Sequence, residues 1–99
     1  MPKVTKQEIE QVLDELILRL VSRIKRRKGK CYSNRHEALG KITEEYHELS
    51  DAVRSEKRKD INDETLDVAE ACVYFYASQL AKKKARKLSK KKTAKNTTK

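Results

Sequence analysis

The chain has 99 residues, of which 36% are hydrophobic, 5% aromatic and 40% charged, with a formal net charge of +10. A chain this short and this charged makes one small domain with a thin core, for which association with a second copy is a common remedy. It holds no apolar run long enough to span a bilayer and no signal-peptide core, and Cys31 and Cys72 lack metal-type spacing, so a soluble protein of the reducing cytoplasm is expected.

The charge is unevenly placed. Residues 82–99 hold nine lysines and Arg86 with no acid, which makes +10. The remaining 15 basic and 15 acidic side chains cancel. Two parts are therefore expected: a neutral folded domain over 1–81 and a Lys-rich extension over 82–99.

Thr5-Lys6-Gln7-Glu8 fits a capping box at the start of a first helix. Ile9, Val12, Leu13, Leu16, Ile17, Leu20, Val21 and Ile24 follow at steps of three and four, which makes one apolar face. Gly29 is a natural stop. The cluster Arg23, Lys25, Arg26, Arg27, Lys28 and Lys30 closes this helix. It reads either as cations suited to the helix dipole or as a clamp for a triphosphate.

Ser33 or Asn34 can cap a second helix. Leu39, Ile42, Tyr46, Leu49 and Val53 then step by 3, 4, 3, 4. The pattern dissolves over 55–59, and Asp60 or Asn62 can cap a third helix. Its apolar residues, from Leu66 to Ala81, wrap most of the circumference, as in a buried helix. Two partner helices from one chain cover such a helix poorly. The fold class is thus all-α: three helices in a bundle completed by dimerisation, with Val68, Cys72, Phe75 and Tyr76 at the contact.

From Lys82 the composition narrows to Lys, Arg, Ala, Ser and Thr. The third helix can run on to about Leu88, beyond which like-charge repulsion favours disorder. The extension suits either solubility or sequence-independent contact with nucleic-acid phosphates.

Two acidic clusters carry the chemistry. Glu44-Glu45-Tyr46-His47-Glu48 reads E-E-x-x-E. Glu64-Thr65-Leu66-Asp67, after 15 intervening residues, reads E-x-x-D. Residues three or four apart share a helix face, so Glu45 with Glu48, and Glu64 with Asp67, can face each other across two helices. Glu45 and Glu48 flank the apolar seam of the second helix, and Glu44 points outward. Carboxylates brought together this way need a counter-charge, and magnesium, a hard oxygen-seeking ion, supplies one. His47 and His36 read as surface and helix-start residues. Tyr74 and Tyr76 read first as core residues, and Tyr74, which follows the Asp67–Glu70 stripe, is the better functional candidate of the two.

The combination E-E-x-x-E, spacer, E-x-x-D resembles the MazG-like all-α nucleoside triphosphate pyrophosphohydrolases, and the stretch HEALGKITEEYHELSDAV looks like their short phage and prokaryotic forms. The resemblance covers about residues 36–80. It implies a helical-bundle dimer or larger assembly that uses Mg²⁺, or Mn²⁺ in its place, to hydrolyse a nucleotide to monophosphate and pyrophosphate. Glu45, Glu48, Glu64 and Asp67 would be metal ligands. Glu44 would be a further ligand or orient the attacking water, so that Glu44 and Glu45 form the catalytic pair. Arg23, Arg26, Arg27, Lys30 and Tyr74 would contact the nucleotide. A non-catalytic helical adaptor, binding nucleic acid through its basic extension, is the alternative.

Overall fold

The computed structural model describes residues 1–56 and 58–97, and side-chain placements within 1–56 and 60–89. The chain forms three helices: α1 (Lys6–Arg27), α2 (Arg35–Arg54) and α3 (Arg58–Thr97). Among the described residues there is no strand, and no helix is long and apolar enough to cross a membrane.

Each boundary has a local cause. The Glu8 carboxylate accepts from the Thr5 backbone N–H at 2.9 Å and from its hydroxyl at 2.7 Å, which ties down the start of α1. These bonds hold Glu8 below the usual carboxylate range. α1 ends through two left-handed residues, Lys28 (φ 54°) and Gly29 (φ 72°). The Gly29 N–H donates back to the Ile24 carbonyl at 2.9 Å, as in a Schellman ending. Asn34 is the cap of α2, its side chain accepting from the Glu37 N–H at 2.9 Å. Ser33 donates instead to the Glu37 carboxylate.

α3 differs from the sequence expectation at both ends. It begins at Arg58, ahead of Asp60 and Asn62, and places Asp60 in its first turn, where a carboxylate suits the dipole. Its helical backbone extends to Thr97, past the Leu88 limit read from composition. Lys, Ala and Arg are strong helix formers, and the extension propagates a helix already nucleated by packing.

α2 and α3 form an antiparallel hairpin. Ala38 clusters with Tyr74 at one end, and Glu45, Glu48, Glu64 and Asp67 meet towards the other. α1 runs parallel to α3: Arg19 reaches Asp63 and Asp67, and Arg23 reaches Glu70. The order is up-down-up.

The packed face of α2 is turned from the predicted stripe, of which Ile42 and Leu49 are half-buried. Leu39, Tyr46 and Val53 are exposed, at 59%, 58% and 53%, and the buried residues are Ala38, Glu45 and Ala52. The seam is rotated so that Glu45 sits near its centre. Two alanines allow close approach to α3, which larger side chains on the expected stripe would prevent. On α1 only Leu16 is buried, while Ile9, Val12, Leu13, Ile17, Val21 and Ile24 are exposed. The uncovered apolar surface is therefore largest on α1, with smaller parts on α2 and, at Val73, Tyr76, Leu80 and Leu88, on α3. On α3, Val68 and Phe75 are half-buried within the chain, and Cys72 and Tyr76 are exposed.

The α1–α2 connection is pinned to α3. Tyr74 is buried, and its hydroxyl donates to the Lys30 carbonyl at 2.6 Å. Tyr32 packs edge-on against Tyr74, and its N–H donates to Ser78 Oγ at 3.2 Å. Tyr74→Phe removes the donor to a carbonyl in this region and is expected to cost about 1–3 kcal/mol. Urea denaturation at fixed protein concentration checks this.

Candidate metal centre

The antiparallel register dictates which acids meet. Glu45 faces Asp67 and Glu48 faces Glu64, because the sum of residue numbers stays constant along the hairpin, as it does for Ala38 and Tyr74. One carboxylate oxygen from each of Glu45, Glu48, Glu64 and Asp67 lies within 4.8 Å of the others. Glu45 is buried, Glu64 and Asp67 are half-buried, and Glu48 is exposed. Glu44 is exposed.

The cluster is electrostatically strained. The Glu45 charge, helped by burial and by Glu64, pushes the Glu48 carboxyl above the usual range. Burial, then Glu45, pushes Asp67 up, against the opposing pull of Arg19. Glu64 Oε2 is a buried oxygen with no hydrogen-bond partner among the described residues. An orphaned carboxylate oxygen inside an all-oxygen donor set is what a hard divalent cation can satisfy. The residues present thus fit such an ion, with Glu45, Glu48, Glu64 and Asp67 as its holders.

Cations from α1 and α2 border the acids. Arg19 forks onto Asp67 at 2.7 Å and Asp63 at 2.9 Å. Lys41, one turn before Glu45 on α2, reaches it at 2.9 Å, and this bond raises the Lys41 pKa. Arg23 bonds Glu70 at 2.9 Å with both side chains nearly buried, and donates to the Tyr32 hydroxyl at 2.9 Å. Burial disfavours the Arg23 cation, and Glu70 and Tyr32 more than restore it. Arg26 also reaches Glu70, at 3.5 Å.

Arg23, Arg26, Arg27 and Lys41 line one open cavity of about 210 Å³. Through Lys41 it adjoins the acidic cluster. Three of the sequence-derived nucleotide contacts therefore come together there. The other two do not line it. Tyr74 is buried beneath the Arg23 and Arg27 guanidinium groups, 5.5 Å from each to the ring centroid. The Lys30 side chain is exposed, and its carbonyl serves Tyr74 and Arg27.

Sequence reasoning missed Arg19 and Lys41. Lys41 carried a signal, since it stands four residues before Glu45 and such pairs share a helix face. Arg19 carried a weaker one: with Arg23 and Arg26 it forms a cationic stripe beside the apolar face of α1.

Comparison with protein-family models, curated proteins and solved structures found no match for this chain.

The raised Glu48 and Asp67 pKa values set a pH dependence. A carboxyl whose folded pKa exceeds its unfolded value binds more protons folded than unfolded, so its charge costs stability as pH rises through the folded pKa. With chelator present, thermal stability is expected to rise as pH falls from neutrality toward the usual carboxylate range. Glu48→Gln is expected to raise the melting temperature at pH 7 and flatten that dependence. Melting curves of the two proteins across this pH range check both expectations.

Proposed function

We propose that the chain is a magnesium-dependent nucleotide pyrophosphohydrolase of the MazG-like type, cleaving a nucleoside triphosphate or related nucleotide to monophosphate and pyrophosphate. The observation that carries this reading is the convergence of Glu45, Glu48, Glu64 and Asp67 within 4.8 Å, with one buried oxygen of Glu64 left unpartnered. The fit with the E-E-x-x-E and E-x-x-D resemblance, which the comparisons neither add to nor draw from, gives the reaction class.

In this reading the four carboxylates hold magnesium, or manganese in its place. The bound ion neutralises phosphate charge and lowers the pKa of bound water. Arg23, Arg26, Arg27 and Lys41 hold the phosphates in the adjoining cavity. Arg23 is fixed in place by Glu70 and Tyr32 and so is pre-positioned. Glu44, exposed beside the cluster, is available to orient water from the solvent side. The cytoplasm suits both the substrate and the free thiols of Cys31 and Cys72.

The same reading includes a homodimer. Seven apolar residues of α1 stand uncovered, with Leu39, Tyr46 and Val53 of α2, and a second copy is the natural cover in a chain too small to bury them. Light scattering at micromolar concentration is expected to give a dimer or larger mass, and Ile17→Glu, at the exposed α1 face, to shift it toward the monomer.

A non-catalytic helical adaptor is supported by a different observation. Arg19 places a counter-charge on Asp67 at 2.7 Å, so the chain itself offsets part of the acidic repulsion. Pyrophosphate release from a panel of nucleotides with magnesium separates the two. Hydrolysis is expected in the native chain, and Glu48→Gln or Asp67→Asn is expected to abolish it with the circular dichroism spectrum unchanged. Magnesium at 100 times its dissociation constant is expected to add about 2.7 kcal/mol of stability. Absence of hydrolysis together with absence of this stabilisation would favour the adaptor.

A further inference from the structure

Away from the acids, α3 carries a second kind of surface. Phe75, Gln79, Lys82 and Arg86 step by 4, 3, 4 along one ridge, and Tyr76, Gln79, Lys83 and Arg86 step by 3, 4, 3 along the next. Two cavities open on these ridges. One, of about 390 Å³, lies between α3 and the start of α2, where Asn34, Arg35 and His36 form the opposite wall to Phe75, Gln79, Lys82 and Arg86. The other, of about 280 Å³, is bounded by Tyr76, Gln79, Leu80, Lys83 and Arg86. The cavities share Gln79 and Arg86, so they form one continuous surface. No acidic residue lines either.

Three features restrict the partner. The surface presents the cations Arg35, Lys82, Lys83 and Arg86, so it takes a polyanion. Tyr76 stands 66% exposed among them, and an exposed ring beside guanidinium and ammonium groups is a stacking platform for a base. The basic helix then continues to Thr97, about 16 Å beyond Arg86 at 1.5 Å per residue, farther than one nucleotide reaches. A second copy of the chain fits poorly. A two-fold contact would set Lys82, Lys83 and Arg86 against their own copies, whereas the exposed face of α1 is apolar.

We propose that this surface binds single-stranded nucleic acid, with Tyr76 stacking on a base and Arg35, Lys82, Lys83 and Arg86 tracking the phosphates. Single strands are favoured because a base already stacked in a duplex has no free face for Tyr76. Lys82 also donates to the Ser33 carbonyl at 3.2 Å, which holds its ammonium at the mouth of the larger cavity. Asn34 and Gln79 offer amide groups to base edges or sugars. The sequence alone puts the nucleic-acid contact in the extension, without aromatic residues. The fold adds an aromatic platform, because helical spacing sets Tyr76 on the ridge of Lys83 and Arg86. The proposal is independent of the metal centre.

The test uses the full chain and fluorescence anisotropy with a labelled oligothymidylate of about 20 nucleotides and a duplex of equal length. Tighter binding of the single strand is expected. Tyr76→Ala is expected to weaken it by roughly fivefold to a hundredfold, the loss of one base stack, and to leave duplex binding unchanged. Tyr76→Phe is expected to retain single-strand affinity. Arg35→Ala is expected to weaken both probes and to lower the slope of affinity against salt. Asp67→Asn is expected to change neither, which separates this surface from hydrolysis. Equal binding of both probes, or single-strand affinity unaffected by Tyr76→Ala, would overturn the proposal and leave contact through the lysines alone. A change in the mass of the free protein on Tyr76→Ala, seen by sedimentation, would also overturn it, by showing that Tyr76 lies between copies of the chain.

Discussion

The structure depends on how four carboxylates are held together against their own repulsion. The α2–α3 hairpin buries Ala38 and Ala52 of α2 and Ala71 of α3, and the same register sets Glu45 against Asp67 and Glu48 against Glu64. Packing and site therefore cannot be separated. The apolar contacts are few, so the acids are tolerated only because compensating charge is nearby.

That role falls to α1. It adds little to the core of the chain, with Leu16 its one buried residue, yet it supplies Arg19 to Asp63 and Asp67 and supplies Arg23 and Arg26 to Glu70. The nearly buried Arg23–Glu70 pair is weak evidence for net stability, because both charges lose hydration. Its stronger consequence is position. A guanidinium bonded to Glu70 and Tyr32 has little rotamer freedom, and it faces the cavity that Lys41 connects to the acids. α1 works as a carrier of ordered cations on one edge and as uncovered apolar surface on the other.

Much of this was legible in the sequence, for identifiable reasons. The three helices follow from capping residues and three-four periodicity, and the meeting of the acids follows from spacing on two helices joined by a short connection. The face of α2 was only partly legible. Leu39, Ile42, Tyr46, Leu49 and Val53 form the most regular apolar stripe, and hydrophobic spacing cannot reveal that the helix turns Ala38, Glu45 and Ala52 inward and leaves only Ile42 and Leu49 of that stripe half-buried. The core position of Tyr74 was legible, but its hydrogen bond was not. Tyr74 follows the acidic stripe in sequence, but its hydroxyl is taken by the Lys30 carbonyl, a backbone group without any sequence signature. Composition weighs lysine repulsion, whereas the helical backbone of α3 runs to Thr97, as strong helix formers continuing a packed segment allow.

Net charge alone would suggest that the basic extension neutralises the acids. Distance argues otherwise. Asp67 and Lys82 stand on one helix, separated by about 22 Å at 1.5 Å per residue, and the screening length at physiological salt is about 8 Å. The positive charge of the extension is therefore nearly invisible to the acidic cluster across solvent. This is why the cluster needs its own cations at hydrogen-bonding distance, and why Arg19 and Lys41 sit there in a chain that already carries a large positive excess. The same distance frees the far end of α3 to act on a polyanion without altering the acids. One long helix thus carries two electrostatically independent surfaces, with the Tyr32–Tyr74 packing between them.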